Sequence, residues 1–176
     1  MKSRPRTGSR KIGTEDRMSK KSVAYFSAEG TTRAVAKRLA GAIDADLFEI
    51  VPKKPYTAAD IKWTNPLARC NREKIGKKDV PSAGKVDGFE VYDEVFLGFP
   101  IWYYGAPNVV ATFVKGYDWT GKKIALFATS GGSDMGKTAE KLAPALGGKG
   151  EIAGAKRFSY DADEAALAAW AESVMK

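Results

Sequence analysis

The sequence predicts an α/β protein of three layers, in which helices cover both faces of a doubly wound, five-stranded parallel sheet. Three observations carry that expectation. Short apolar runs of strand-forming residues alternate with stretches of helical periodicity from about residue 22 onward, which implies right-handed βαβ units. Most of the runs end at proline, glycine or small hydroxyl residues, the punctuation of strand ends. With 176 residues and an apolar fraction of 44%, the chain can bury one core without metal or disulfide staples.

The elements follow in order. Ser22–Ser27 (SVAYFS) is the first strand. Helical periodicity begins near Thr32, where Val35, Leu39 and Ile43 share one face. Asp46–Val51 is the second strand, with Pro52 placed to stop it. Residues 52–90 break the rhythm, being polar, basic and punctuated by proline and glycine. Within them Tyr56–Trp63 is expected to form a short helix, with no amphipathic crossover helix after it. Long excursions of this kind are lids, binding loops or mobile segments.

Tyr92–Phe99 is the third strand, stopped by Pro100. A helix begins near Pro107, a residue pre-set for the first helical turn, and buries Val110, Phe113 and Val114. Lys123–Thr129 is the fourth strand, and a helix over 137–146 follows it, troubled by Pro144. Glu151–Ser159 is the fifth strand. The last helix, 162–175, places Leu167, Trp170, Ala171 and Val174 on one face.

Composition excludes several chemistries. The chain has no histidine, so no Ser-His-Asp or Cys-His unit and no His-ligated metal is possible. Its single cysteine, Cys70, makes no internal disulfide or CxxC pair and reads as a passenger thiol. Redox or group-transfer chemistry would therefore need a bound cofactor.

The net charge of +8 is concentrated at the front, where residues 1–21 hold eight basic and two acidic side chains. That stretch has almost no apolar residues and reads as a disordered basic tail ahead of a folded domain over 22–176. A targeting leader or nucleic-acid arm is the sharper alternative. A solvated tail, or a chain that truly starts at Met18, is the blander and preferred one. No segment reads as a secretory signal or membrane span, and a cytoplasmic location is expected.

Ligands of open parallel sheets bind at the carboxyl ends of the strands, where the topology reverses. Three such ends are chemically unusual. The first strand runs through Ser27-Ala-Glu-Gly-Thr-Thr32 into a helix, and this segment offers hydroxyls, a glycine turn and free helix N–H groups. Those features make either a phosphate cradle or a plain helix cap. The third strand ends in Pro100-Ile-Trp-Tyr-Tyr-Gly105, an aromatic loop costly to leave wet, which packs under the 52–90 excursion or walls a flat ligand. The fourth ends in Thr129-Ser-Gly-Gly-Ser133, small residues that let backbone approach a ligand.

Together these loops resemble the flavodoxin-like family, in particular flavodoxins with PIW and TSGG loops, over roughly residues 22–175. The resemblance implies the strand order 2-1-3-4-5 and FMN as cofactor. It implies that Ser27, Glu29, Gly30, Thr31 and Thr32 surround the FMN phosphate, with Glu29 either turned to solvent or weakening the affinity. Glu29 and Thr31 depart from the Thr and Asn common in the family. Pro100, Ile101, Trp102, Tyr103, Tyr104 and Gly105 would line one side of the isoalloxazine, with Trp102 the best stacking ring. Thr129, Ser130, Gly131, Gly132 and Ser133 would meet the ribityl and pyrimidine side. The last loop lacks the second aromatic of many carrier flavodoxins, which implies an open flavin face. Asn65–Glu73 also echoes the subfamily.

Gly131-Gly-Ser-Asp-Met-Gly-Lys-Thr138 also satisfies the nucleotide P-loop pattern, with Lys137 for phosphate and Thr138 for magnesium. Against it stand its late position and the lack of an acidic strand end. The acidic residues of a phospho-receiver and the GxGxxG of a dinucleotide fold are absent.

The expected function is electron transfer, or reduction of a small acceptor such as a quinone, by an FMN-dependent oxidoreductase of NAD(P)H:acceptor type. The near-neutral body offers little steering toward a basic partner and tilts the reading toward a small acceptor. Expected partners are a redox protein or a small-molecule acceptor, with a homodimer possible and neither membrane nor nucleic acid. The alternatives are a P-loop nucleotide binder and a cofactor-free interaction module.

Overall fold

The first strand, β1 (Lys21–Tyr25), turns sharply after Phe26 into the helix α1 (Thr31–Ile43). The structure, a computed structural model, describes residues 18–176, so the tail expected over residues 1–21 lies outside it as far as residue 17. Lys21 already pairs within β1.

The chain then returns through β2 (Asp46–Glu49) and a two-residue strand β3 (Val51–Pro52), which pairs antiparallel with β4 (Ser82–Ala83). Between β3 and β4 lies α2 (Arg69–Ile75). The remaining elements are β5 (Glu94–Pro100), α3 (Asn108–Lys115), β6 (Lys123–Thr129), α4 (Thr138–Leu142), β7 (Glu151–Arg157) and α5 (Glu164–Met175).

The main sheet runs β2-β1-β5-β6-β7 with every neighbouring pair parallel. Counting its own strands, this is the expected order 2-1-3-4-5. The direction of progression reverses between β1 and β5, so the crevice of the fold opens above their carboxyl ends. Register brings those ends level: Phe26 N–H donates to Gly98 O at 2.9 Å, and Ile101 N–H to Thr129 O at 2.9 Å.

Strand side chains alternate between two cores. Val23, Tyr25, Phe96 and Phe127 meet Val35, Leu39, Leu167 and Trp170 of α1 and α5 on one face. Ala24, Phe26, Leu97, Phe99 and Leu126 meet Val110, Phe113 and Val114 of α3 on the other. Gly98 is required by this packing, because a Cβ there would sit 2.1 Å from the Phe127 ring. Among the described residues no helix is long and apolar enough to cross a membrane.

Several boundaries differ from expectation. Pro52 does not stop the extended chain. Lys53 N–H donates to Pro81 O at 2.9 Å, and proline, which has no N–H, suits the edge of this two-strand ribbon. Tyr56–Trp63 forms turns rather than a helix. Thr57 and Asp60 cap one another reciprocally, Thr57 N–H to Asp60 Oδ2 at 2.9 Å and Asp60 N–H to Thr57 Oγ1 at 3.2 Å, yet only single turns follow before Pro66. The helix lies later, in α2, stiffened by the Arg69–Glu73 pair at 2.5 Å. Pro107 caps α3 with extended ψ instead of entering its first turn. Pro144 converts the end of the next helix into a 3₁₀ turn over Ala143–Leu146.

Candidate functional site

Three loops converge above β1, β5 and β6 on a cavity of about 620 Å³. At the end of β1, the Ser27 hydroxyl accepts the Gly30 N–H at 3.0 Å, and Gly30 adopts φ 95°, so the backbone folds directly into α1. The first N–H groups of that helix have no intrahelical partner and face the loop end. Ser27, Glu29, Thr31 and Thr32 line the cavity, while Gly30 shapes the turn without lining it. Glu29 and Thr31 are exposed. The Thr32 hydroxyl is committed elsewhere, sharing a buried 2.8 Å hydrogen bond with Thr129 Oγ1.

At the end of β5, Trp102 N–H donates to Gly105 O at 2.9 Å and Gly105 N–H to Trp102 O at 3.1 Å, closing a two-residue turn. Its tip residues, Tyr103 (φ 48°) and Tyr104 (φ 60°), are both left-handed, a conformation costing roughly 1–2 kcal/mol per bulky residue. Two lysines hold it from behind. Lys74 Nζ donates to Ala106 O at 2.7 Å and Lys141 Nζ to Tyr104 O at 3.0 Å. Burial, and secondarily the nearby Lys141 charge, pull the Lys74 ammonium below the ordinary lysine range. Gly105 gives Lys74 room, since a Cβ there would stand 3.2 Å from its Nζ.

Pro100, Ile101, Trp102, Tyr103 and Tyr104 all line the cavity. Trp102, expected as the best stacking ring, also packs edge-on against Phe26 at 5.5 Å and Tyr56 at 5.3 Å. The aromatic loop packs against the excursion and also lines the cavity. Trp102 roots it under the excursion, and the two tyrosines face outward.

At the end of β6, Thr129 and Ser133 line the cavity. The Ser130 hydroxyl turns inward on its own loop to the Ser133 carbonyl. Gly131 and Gly132 are exposed outside the lining, with open space where a Cβ would stand. Gly30, Gly105, Ser130, Gly131 and Gly132 are therefore the expected residues that shape the loops rather than wall the cavity.

The excursion supplies the fourth wall, through Ile61, Trp63 and Cys70, and Ala28 completes the lining. Ile61 and Trp63 had a signal, being apolar residues in an otherwise polar, basic stretch. Cys70, expected as a passenger thiol, forms part of this wall. Burial pushes its thiol up, and neighbouring Arg69 offers no relief, being paired with Glu73. The excursion is clasped in place by the same groups. Arg69 lies over the Tyr56 ring at 4.1 Å, and Tyr56 OH donates to Glu73.

The P-loop match serves another purpose. Gly136 N–H donates to Asp134 Oδ1 at 3.0 Å, Lys137 is exposed as the cap of α4, and Thr138 is fully buried with no hydrogen-bond partner for its hydroxyl. Neither Lys137 nor Thr138 reaches the cavity. No cluster of Cys, Asp or Glu suited to a metal occurs among the described residues.

A doubly wound sheet with a cavity of hydroxyls, free helix N–H groups and aromatic rings at its reversal point defines a three-layer α/β protein with a ligand-sized cavity. The Flavodoxin family model matches residues 20–174, and the chain belongs to that family. Flavodoxin 1 of Shigella flexneri is 30% identical over 117 residues, a match covering 61% of this chain and 64% of that relative's length. A candidate flavoprotein from Bacteroides eggerthii superposes with a TM-score of 0.84 at 37% identity, covering 90% of this chain and 99% of its own. A Lactobacillus acidophilus flavoprotein solved in complex with FMN shares the fold, with a TM-score of 0.62 at 23% identity over 80% of this chain and 93% of its own.

Proposed function

We propose that the chain binds FMN in this cavity and works in electron transfer, to a redox partner protein or a small acceptor such as a quinone. The observation that carries the reading is the convergence of the Ser27–Thr32 turn and the Tyr103–Tyr104 turn on one cavity. The first offers hydroxyls and unpaired N–H groups suited to a phosphate, and the second offers aromatic surface suited to a flat ring. The donor set fits the group without any lysine or arginine at the phosphate.

In this reading Ser27, Thr31 and the N–H groups of Thr31 and Thr32 hold the phosphate. Glu29 is exposed at the edge of the same cavity, where solvent screens its charge from the dianion. Tyr103, Tyr104 and Trp63 offer faces to the ring system, and Trp102 keeps that wall in place through Phe26 and Tyr56. Thr129 and Ser133 border the ribityl side, and Ile61 and Cys70 exclude water from below the excursion. The bound flavin supplies the redox chemistry, which this histidine-free chain lacks among its own side chains.

Titrating the purified chain with FMN tests the reading. Flavin fluorescence should be quenched to a one-to-one end point, with a rise in Tm and slower alkylation of Cys70. ATP with magnesium should leave Tm unchanged. Unquenched flavin and an unshifted Tm would end the proposal.

A further inference from the structure

The folded body is near neutral in total, but its charge is unevenly spread. Residues 53–78, which wall the cavity, carry eight lysines and arginines against two carboxylates, Asp60 and Glu73. The other residues from 22 onward carry 13 basic and 17 acidic side chains. Of the eight cations only Arg69 has a carboxylate within ion-pair distance among the described residues.

Several of these charges flank the cavity wall. Lys62 stands between the lining residues Ile61 and Trp63, and Arg72 is exposed on α2, two residues from Cys70 and so on the outer side of that helix. Lys141 reaches the same rim from α4 to hold the Tyr104 carbonyl, and Lys74 lies beside it with only a carbonyl partner. Glu29, on the α1 side, is the one carboxylate among the lining residues.

The rim is also apolar. Trp63 is 71% exposed, Leu67 77% and Tyr104 73%. Large exposed apolar side chains gathered at one place, ringed by charge, have the make-up of a protein-binding surface.

We infer that this rim docks an acidic protein surface, its rings and Leu67 forming the dry centre and Lys62, Arg72 and Lys141 the charged border. The inference rests on the proposed redox role and gives the partner's chemistry. A basic partner would meet uncompensated like charge. A small anion would use the same field but leave Leu67, outside the cavity lining, in water. The near-neutral total therefore hides a steering surface.

The full chain, with and without FMN, is titrated calorimetrically with a two-iron plant-type ferredoxin as acidic probe and with cytochrome c as basic probe. Ferredoxin should bind and cytochrome c should not. Raising salt from about 20 to about 200 mM should weaken ferredoxin binding by about tenfold. The double variant Lys62→Glu/Arg72→Glu should lose about as much at low salt, with Tm unchanged because both side chains are exposed. A second measurement needs no partner protein: Trp63 is the strongly exposed tryptophan, so iodide should quench indole emission more than caesium does, and the variant should reverse that order.

Absent ferredoxin binding, binding indifferent to salt and to the reversal, preferred binding of cytochrome c, or caesium quenching as strong as iodide would each overturn the inference. FMN titration of the same preparations separates the two readings. A chain that takes no flavin yet binds ferredoxin in a salt-dependent way loses the redox proposal and keeps the docking surface.

Discussion

Thr32 and Thr129, 97 residues apart, share a buried 2.8 Å hydrogen bond between their hydroxyls. The bond ties the first turn of α1 to the end of β6, and so sets the spacing of two of the three loops around the cavity. Neither hydroxyl has water to fall back on.

Replacing either threonine by valine strands the other hydroxyl. Thr129→Val should cost about 1–3 kcal/mol, the penalty of an unsatisfied buried polar group. The double variant Thr32→Val/Thr129→Val should cost less than the sum of the singles. Denaturant unfolding of all four proteins checks this, and strict additivity would refute the pairing.

Glycines of the site differ in what they do. Gly30→Ala meets no atom but must hold φ 95°, and should lose about 1–2 kcal/mol. Gly98→Ala collides with the Phe127 ring, and a loss of about 1–3 kcal/mol or more is expected from overpacking. Gly131→Ala and Gly132→Ala have open space and no positive φ, so both should stay within about 0.5 kcal/mol of the parent. Thermal melts of the four variants give the ranking.

The Tyr103–Tyr104 turn sets stability against the proposed function. Asn and Gly are the residues its two left-handed positions favour. Tyr103→Asn/Tyr104→Gly should raise stability by about 1 kcal/mol or more while weakening FMN binding, because two rings leave the cavity wall. Parallel unfolding and flavin titrations show whether the two quantities move in opposite directions.

Tyr92 and Asp46 give the fold a pH dependence at both extremes. Tyr92 OH donates to Asp46 Oδ2 at 2.6 Å, holding the carboxyl below its ordinary 3.8, with Lys20 adding to the effect. Burial and the same bond push the Tyr92 phenol up to about 12. The lowered carboxyl contributes stability above about pH 3.8 that fades as pH falls through its folded value. The raised phenol contributes stability below pH 10.0 that is lost as pH rises through about 12. Tyr92→Phe should be less stable than the parent at pH 7, and the gap should narrow toward both pH 3 and pH 12, as read from urea midpoints.

The five sheet strands and the three loops above them were legible because each strand reports its own burial in its own composition, whereas their order came from the family resemblance. Leu167, Trp170 and Ala171 mark the buried face of α5 for the same reason. The excursion was not legible. Its helix α2 is short, and its stability comes from Arg69 and Glu73 acting on Tyr56, a contact with residues 13 and 17 positions away that no local periodicity announces. The double duty of Trp102 was hidden likewise, because it depends on Phe26 and Tyr56 arriving from two other segments. The P-loop match shows the converse hazard: a pattern complete in sequence whose Thr138 points into the body of the protein.

Tyr56 touches Trp102 on one side and is gripped by Arg69 and Glu73 on the other. The excursion therefore cannot lift without releasing the aromatic loop, and the loop cannot shift without breaking the clasp. Two segments far apart in the chain should breathe as one unit, with amides of 68–76 and 101–105 exchanging hydrogen at a shared rate and slowing together when the cavity is filled.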